Sequence, residues 1–321
     1  KKSVERAIDG EVATITAALH RDEERRTPRM GGVVVWASVL ATAFLLWLLS
    51  YLFPNEIFTK LDFVSRSQTW IPLAALLVGA LVGLIDDFLS IREINNGDYI
   101  GGGLSLTKRL LVVGLLGLLA GAWFYFKLDV HTINIPFASE LDLGLWFILA
   151  FVIIVIAVYS GSVIDGIDGL SGGVLAAAFG AYAGIAFYQQ QIDLAAFSGV
   201  VVGGILAFLW FNIPPARFYM SETGMMGLTV ALAIVAFMAD KLGDGYGILV
   251  LPVVALPLVI TTASNIIQVL SKKFRGRKVF LVAPIHHHFE ASGWPPYKVT
   301  MRYWIVSIVC AILGMVIALV L

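Results

Sequence analysis

Charged residues and cysteine are both scarce in this chain of 321 residues. Asp, Glu, Lys and Arg together make up 14% of the sequence, whereas a soluble globular domain averages about 25%, so a water-soluble fold is not expected. The one cysteine, Cys310, excludes a disulfide framework and a cysteine-based zinc site. The 22 basic and 22 acidic side chains cancel, and without net positive charge the composition argues against nucleic acid as a partner.

Long apolar runs take up most of the chain, of which 59% is apolar. Nine runs have about the length of a membrane span, roughly 17–25 residues. They are continuously apolar and do not alternate at period two, as barrel strands would. The sequence therefore predicts an all-α, polytopic transmembrane helical bundle, with nine spans in a single domain over residues 33–321. The runs are 33–53, 70–85, 110–126, 144–159, 172–188, 194–211, 224–239, 246–270 and 303–321.

Basic residues are distributed unequally between the two sets of loops that nine spans create. One set, including residues 1–32, carries 18 Lys and Arg side chains, and the other carries 4. Positive loops mark the cytoplasmic side of a membrane protein. We therefore expect residues 1–32, which are polar and mixed in charge, to form a cytoplasmic arm, with the C-terminus outside.

Four polar motifs fall on the predicted cytoplasmic side. Ionisable groups at the ends of membrane helices are costly unless they are paired or hydrated, so each motif is a candidate functional site. Taken singly, each could also be a solvated helix terminus. The motifs are LIDDFLSIRE with Asp86 and Asp87, VIDGIDGLSGG with Asp165 and Asp168, FNIPPARFYMSETG with Asn212 and Glu222, and APIHHHFEASGWPP with His286, His287, His288 and Glu290.

The acidic motifs indicate phosphate and metal chemistry. Two adjacent carboxylates repel each other, and a divalent cation or a shared proton relieves the repulsion. Asp165 and Asp168 would share one face if their segment began a helix, and the glycines between them would let backbone N–H groups approach a phosphate. Hard oxygen ligands favour magnesium. Together these features predict phosphoryl transfer, with a lipid as one substrate.

The three consecutive histidines have three interpretations. They could be a remnant of an expression tag, which their internal position argues against. They could ligate zinc, which prefers spaced ligands with a companion carboxylate or thiolate. We favour a cluster that faces phosphate, in which imidazoles donate to pyrophosphate oxygens or relay a proton.

Together these motifs resemble the polyprenyl-phosphate N-acetylhexosamine-1-phosphate transferase superfamily. Within it, APIHHHFEASGW, ASNIIQVLSKKFRGRK and TPRMGG are similar to the phospho-N-acetylmuramoyl-pentapeptide transferase family, from about residue 27 to the C-terminus. The resemblance implies Mg²⁺-dependent transfer from UDP-N-acetylmuramoyl-pentapeptide to undecaprenyl phosphate, giving lipid I and UMP, in the bacterial inner membrane. It also implies ten helices, so that the first helix of the family has no counterpart among the nine runs, and it is compatible with a homodimer.

The resemblance also assigns roles to residues by position. One of the paired acids is a candidate base or nucleophile, Tyr219 falls against the uracil ring, Gln268 contacts the nucleoside, and two histidines lie on the pyrophosphate side. The catalytic set is Asp86, Asp87, Asp168, His286 and His287; the substrate-binding set is Asp165, Ser162, Asn212, Tyr219, Gln268 and His288; the magnesium ligand is Glu222.

The chain departs from the pattern of the family at its site. MGDTG of the family is MSETG here, so Glu222 replaces the magnesium-binding Asp and Ser221 replaces a Gly, while Ser162 replaces an Asn and Ser90 a Lys. Three alternatives remain open. The chain could use another UDP-sugar, such as UDP-N-acetylglucosamine, or it could be an inactive relative that binds a partner. The third alternative, a transporter, does not depend on these changes and would place its acids near mid-membrane.

Overall fold

A computed structural model of the chain describes residues 27–65, 69–96, 103–135, 140–242 and 245–320. Of the predicted arm over residues 1–32, all but residues 27–32 lies outside these ranges. Helices dominate, which confirms the all-α prediction, and β1 (Thr132–Ile133) pairs antiparallel with β2 (Leu141–Asp142). The helices are α1 (Gly32–Leu52), α2 (Glu56–Leu61), α3 (Trp70–Asn96), α4 (Leu106–Leu128), α5 (Trp146–Ser160), α6 (Leu170–Tyr188), α7 (Ile192–Asn212), α8 (Ser221–Phe237), α9 (Gly247–Val254), α10 (Leu256–Arg275), α11 (Ile285–Ala291) and α12 (Pro296–Val320).

Eight helices are long and apolar enough to cross a membrane, counted over the described ranges: α1, α3 to α8 and α12. Large apolar side chains point outward from them, as with Leu111 and Trp210, whose exposed fractions are 68% and 82%. Such a surface suits contact with lipid rather than water. The structure thus agrees with a multi-pass membrane protein.

The predicted span over residues 246–270 is bent rather than continuous. Its two halves, α9 and α10, meet at Ala255 at an angle of 69°. Pro252 lies inside α9 and Pro257 in the first turn of α10. A proline has no N–H to donate, and its ring disfavours helical geometry in the residue before it. The expectation of one continuous helix is corrected here, and the total reaches nine spans if the bent pair counts as one.

Helix α8 lies at the centre of the bundle. Within its span, 94% of the residues are buried, against 22% for α1 and for α12. Glycines bring α3 close to it: a Cβ atom on Gly79 would lie 2.8 Å from the Cα atom of Gly227, and one on Gly83 would overlap the carbonyl of Glu222. Small residues allow such close approach between membrane helices. The first turn of α8 is therefore surrounded by other helices.

A buried carboxylate, Asp240, organises the other end of α8. It lies in the π-helical turn Met238–Leu242 that follows the helix. Its Oδ1 accepts the N–H of Ile248 at 3.1 Å, in the first turn of α9, and its Oδ2 accepts the N–H of Asn134 at 3.2 Å, just after β1. One side chain thus joins the end of α8, the start of α9 and the strand pair.

We expect Asp240→Ala to lower the thermal unfolding midpoint of the purified protein. The substitution leaves two partly buried N–H groups without their acceptor, at a cost of up to about 1–3 kcal/mol each, and a domain of about 150–250 residues loses about 2–4 °C for each kcal/mol. Differential scanning fluorimetry in detergent measures the shift. Glu56→Ala, which removes an exposed carboxylate from α2, is the control and should unfold as the wild type does. An equal midpoint in the two variants would contradict this account of Asp240.

Candidate active site

The acidic pair lies within α3, which continues past it to Asn96, so the expectation that this span ends at residue 85 is corrected. The two carboxylates contact different helices. Asp87 Oδ2 accepts the backbone N–H of Thr223 at 2.9 Å and its hydroxyl at 2.6 Å, both in the first turn of α8. A negative charge is favourable at a helix N-terminus. Asp86 faces the start of α4 instead: it accepts the N–H of Leu104, just before the helix, and lies 2.8 Å from Nη2 of Arg109 in its first turn. Neighbours about 100° apart around a helix axis diverge in this way.

Arg109 bridges two carboxylates, and the sequence interpretation missed it. Its Nη1 donates to Oε1 of Glu222 at 2.8 Å, while Nη2 pairs with Asp86. The hydroxyl of Tyr159 donates to Oε2 of Glu222 at 3.1 Å. Arg109 directly precedes an apolar run on the predicted side of the acidic pair, and that position was the available signal. The ion pairs join α3, α4 and α8 at one end of the bundle.

Asp165 and Asp168 lie in the turn before α6 rather than on the face of a helix, which corrects the expectation of a shared face. Asp165 turns toward α8, where its Oδ2 accepts the N–H of Ser221 at 2.8 Å, and Asp168 Oδ2 accepts the N–H of Ala216 at 2.9 Å. Burial raises the pKa of both carboxyl groups above the ordinary value for Asp. The hydrogen bonds to each carboxylate oppose that shift because they stabilise its charged form.

Asn212 and Ser162 shape this acidic turn. Asn212 is buried, accepts the N–H of Gly169 at 2.9 Å and donates to the carbonyl of Phe218 at 2.8 Å. The carbonyl of Ser162 accepts the N–H of Asp165 at 3.1 Å. Both predicted substrate-binding residues therefore lie at the site, where they hold the backbone that carries the acids. Their contact with a substrate stays a prediction.

Tyr219 pairs with the segment that leads into α1. Its N–H donates to the carbonyl of Pro28 at 2.9 Å, and its carbonyl accepts the N–H of Gly31 at 2.7 Å. Arg29, between these partners, acts electrostatically on Asp165. The segment before the first span thus lies against the site. The predicted role of Tyr219 at a uracil ring stays a prediction.

The histidine helix α11 brings two imidazoles to the acidic turn. His286 and His287 are buried with ring centroids 4.3 Å apart, and a Cβ atom on Gly166 would lie 2.7 Å from Nε2 of each. His287 Nδ1 lies 2.6 Å from Oε2 of Glu290, while neither ring nitrogen of His286 has a hydrogen-bond partner in the described part of the chain. Burial, and then the neighbouring His287, hold the pKa of His286 well below its usual range, so His286 is neutral at physiological pH.

His288 and Gln268 contact the segment that joins α10 to α11. His288 Nδ1 accepts the N–H of Leu281 at 3.2 Å. Gln268 Oε1 accepts the N–H groups of Val279 and Phe280, each at 3.0 Å, and its amide nitrogen donates to the carbonyl of Phe280 at 3.0 Å. These two side chains stabilise the loop, and their predicted contacts with a substrate stay predictions.

The carboxylates near α8 have the hard oxygen donors that magnesium prefers, but their arrangement does not fit the ion. No group of three or more His, Cys, Asp and Glu side chains that could hold a metal is found among the described residues. Asp86 and Glu222 are both bonded to Arg109, and the second oxygen of Glu222 is bonded to Tyr159. The assignment of Glu222 as a magnesium ligand stays a prediction.

Comparison with known proteins finds a matching family profile and relatives that share one name. The profile of glycosyl transferase family 4 matches residues 69–240. A phospho-N-acetylmuramoyl-pentapeptide-transferase of Listeria welshimeri is 33% identical over 299 residues, which is 91% of this chain and 84% of the relative. The protein of the same name from Anoxybacillus flavithermus is 35% identical over 292 residues, 90% of this chain and 82% of the relative. That of Chloroflexus aurantiacus is 32% identical over 308 residues, 92% and 77% of the two chains.

Proposed function

Because this chain belongs to the family of phospho-N-acetylmuramoyl-pentapeptide transferases, we propose that it transfers phospho-N-acetylmuramoyl-pentapeptide from UDP-N-acetylmuramoyl-pentapeptide to undecaprenyl phosphate. The products are lipid I and UMP, and the process served is peptidoglycan synthesis. The proposed location is the bacterial inner membrane, with the site at the cytoplasmic face.

One observation carries the proposal: three separate elements contact three consecutive residues at the start of α8. Asp165 accepts from the first residue, Arg109 donates to the second and Asp87 accepts from the third. Two imidazoles lie over the glycine that follows Asp165. Acids, a guanidinium and imidazoles in one place suit phosphoryl transfer, in which positioning and charge stabilisation provide the catalysis.

An apolar groove on the outside of the bundle supports a lipid acceptor. It lies between α4 and α5, has a volume of about 890 Å³ and is lined by apolar residues from Leu110 to Ile156. Leu110 directly follows Arg109 in α4. A polyprenyl chain in this groove would therefore have its phosphate next to a guanidinium, which is a good donor to phosphate oxygens.

In the proposed reaction, an oxygen of undecaprenyl phosphate attacks the phosphorus that bears the sugar. The bond from that phosphorus to the bridging oxygen breaks, and UMP leaves with the electron pair. Both acids of the pair have partners in the structure, but Asp86 lies against Arg109, next to the groove, so we assign to Asp86 the role of the base that takes a proton from the attacking phosphate. His286 and His287 would contact the pyrophosphate. The resemblance adds magnesium to neutralise phosphate charge, but no step above depends on it.

Exchange of labelled UMP into UDP-sugar, with polyprenyl phosphate and magnesium present, tests the proposal. Exchange with UDP-N-acetylmuramoyl-pentapeptide but not with UDP-N-acetylglucosamine is expected. The reverse preference would favour the other UDP-sugar, and a lack of exchange with both would favour an inactive relative. A transporter would place its acids near mid-membrane, commonly beside paired broken helices. Here Asp165 and Asp168 lie in the turn before α6 and Glu222 lies in the first turn of α8, and the described residues contain one span that is broken into two helices.

Single substitution of His286 or His287 by alanine should lower turnover by about 10²-fold or more, the scale on which general acid–base groups contribute. Initial rates of lipid I formation measure the effect. Lys60→Ala is the control, because Lys60 is exposed on α2 and pairs with Glu56. Stoichiometric zinc in the purified protein, with loss of stability in the histidine variants, would instead make the cluster a structural metal site.

The orientation in the membrane follows from the 18-to-4 division of basic residues. A single cysteine placed within residues 271–302 should react with membrane-impermeant reagents from the cytoplasmic side. A cysteine placed within residues 127–143 should react from the opposite side. Labelling of both from one side would contradict the proposed topology.

A further inference from the structure

Helix α12 contacts the acidic turn through two polar side chains that the proposed reaction does not use. Thr300 is fully buried, and its hydroxyl donates to the backbone carbonyl of Asp168 at 2.9 Å. One helical turn further on, the indole N–H of Trp304 donates to the carbonyl of Gly169, also at 2.9 Å. Residues four apart lie on the same face of a helix. One face of α12 therefore holds two consecutive carbonyls of the turn.

The same face of α12 packs closely against the start of α6. A Cβ atom on Gly173 would overlap the indole of Trp304, and one on Gly169 would lie 3.3 Å from Cγ2 of Thr300. Such close contact leaves the backbone of the turn little room to move relative to α12. The position of Asp168, which directly precedes Gly169, therefore depends on α12.

Helix α12 also supports the histidine helix, through an aromatic stack. The guanidinium carbon of Arg302 lies 3.9 Å from the ring centroid of Trp294, and this ring stacks on Phe289 of α11 with centroids 5.0 Å apart. Both contacts are of kinds that are attractive in proteins. The acidic turn and the helix that carries the imidazoles are thus both joined to the first half of α12.

We propose that Thr300 and Trp304 are positioning residues for the transfer, which hold Asp168 and its turn at the required distance from the imidazoles of α11. They act through the backbone carbonyls of the turn and do not touch the reacting groups. The inference rests on the proposed function and adds a support for the site outside the four polar motifs. Loss of either side chain should slow the chemical step more than it weakens substrate binding, because a shift of about 1 Å at reacting groups can cost about 10²-fold in rate.

Steady-state kinetics of lipid I formation by Thr300→Val test the proposal. Valine is similar to threonine in shape but has no hydroxyl to donate. We expect kcat to fall by about tenfold, while KM for the UDP-sugar changes by about twofold or less, as for a residue that does not bind substrate. Thr229→Val is the matched control. Thr229 is also fully buried, but its hydroxyl donates to a carbonyl of its own helix, that of Met225, at 2.7 Å, so kcat should stay at the wild-type value.

Two further variants separate positioning from a purely structural role. Thr300→Ser keeps the hydroxyl, so kcat should return to within about twofold of the wild type. Trp304→Phe keeps an aromatic ring without the N–H, and it should show the same fall in kcat; it also serves if Thr300→Val does not fold. Unfolding midpoints in detergent accompany the rates, since a purely structural role would lower the midpoint and leave kcat per folded protein unchanged.

The proposal is overturned if the folded variants turn over as Thr229→Val does, if they raise KM alone, or if Thr300→Ser is as slow as Thr300→Val. Exchange of UMP by the wild-type protein distinguishes this failure from failure of the proposed function. Without exchange the proposed function fails, and the positioning role fails with it. With normal exchange and unchanged kcat in the variants, the positioning role alone is wrong. A fall in kcat at constant KM, restored by serine, supports the proposal.

Discussion

Glu222→Ala is expected to abolish magnesium-dependent transfer, while Glu222→Asp should keep activity and lower the magnesium concentration needed for it. Alanine removes the carboxylate that Arg109 and Tyr159 both contact. Aspartate keeps the charge but is shorter by one C–C bond, about 1.5 Å, a large change against a Mg–O distance of about 2.1 Å. It should reach Arg109 less well, and a weaker ion pair leaves the carboxylate more available to the ion.

Rates of UMP exchange over a series of magnesium concentrations measure both variants. Glu56→Ala, which removes an exposed carboxylate on α2, is the control and should follow the wild-type curve. Normal transfer by Glu222→Ala at limiting magnesium would show that Glu222 only caps α8. The metal site would then have to be sought at Asp86, Asp87 and Asp168.

Gly166→Ala should reduce transfer by about 10²-fold or more without unfolding the protein, because it fills the space between the acidic turn and the two imidazoles. The added methyl carbon would lie 2.7 Å from Nε2 of His286 and of His287, closer than such atoms approach without displacement. A shift of about 1 Å at reacting groups can cost about 10²-fold in rate.

The matched control for this substitution is Gly180→Ala. Gly180 lies in α6 with nothing within 4 Å of the added carbon, and alanine is favoured over glycine inside a helix. Rates of lipid I formation and unfolding midpoints should be measured for both variants. If Gly166→Ala had wild-type turnover, the imidazoles would not need their present distance from the turn, and their proposed contact with pyrophosphate would be wrong.

Apolar runs predicted the helices well because burial in lipid or protein requires apolar side chains whatever their partners are. Apolar runs do not indicate which helices pack against each other. Asp86 and Asp87 are adjacent in sequence but contact different helices, and Arg109 joins the site through residues far from it in sequence. Such pairings depend on tertiary packing, which periodicity does not encode.

The residue types in the sequence identified the polar side chains of the site, but they did not indicate which of these side chains contact a ligand and which hold the backbone. Asn212 and Gln268 are amides that can hydrogen-bond equally well to a ligand or to the backbone, and here both stabilise loops. The bend at Ala255 was missed because a helix tolerates a proline in its first turn. Two prolines five residues apart end one helix and begin another.

The burial of α8 has a consequence for how the protein responds to bilayer thickness. Together with the helical turn that continues it, α8 forms a span of 20 residues, Ser221–Asp240, which is about 30 Å long at a rise of 1.5 Å per residue and matches a hydrocarbon core of about 30 Å. Hydrophobic mismatch acts on helices in contact with lipid, which tilt or deform the bilayer to adapt. Since other helices shield α8, the peripheral spans absorb that adjustment, and the first turn of α8 keeps its position in thin and thick membranes alike.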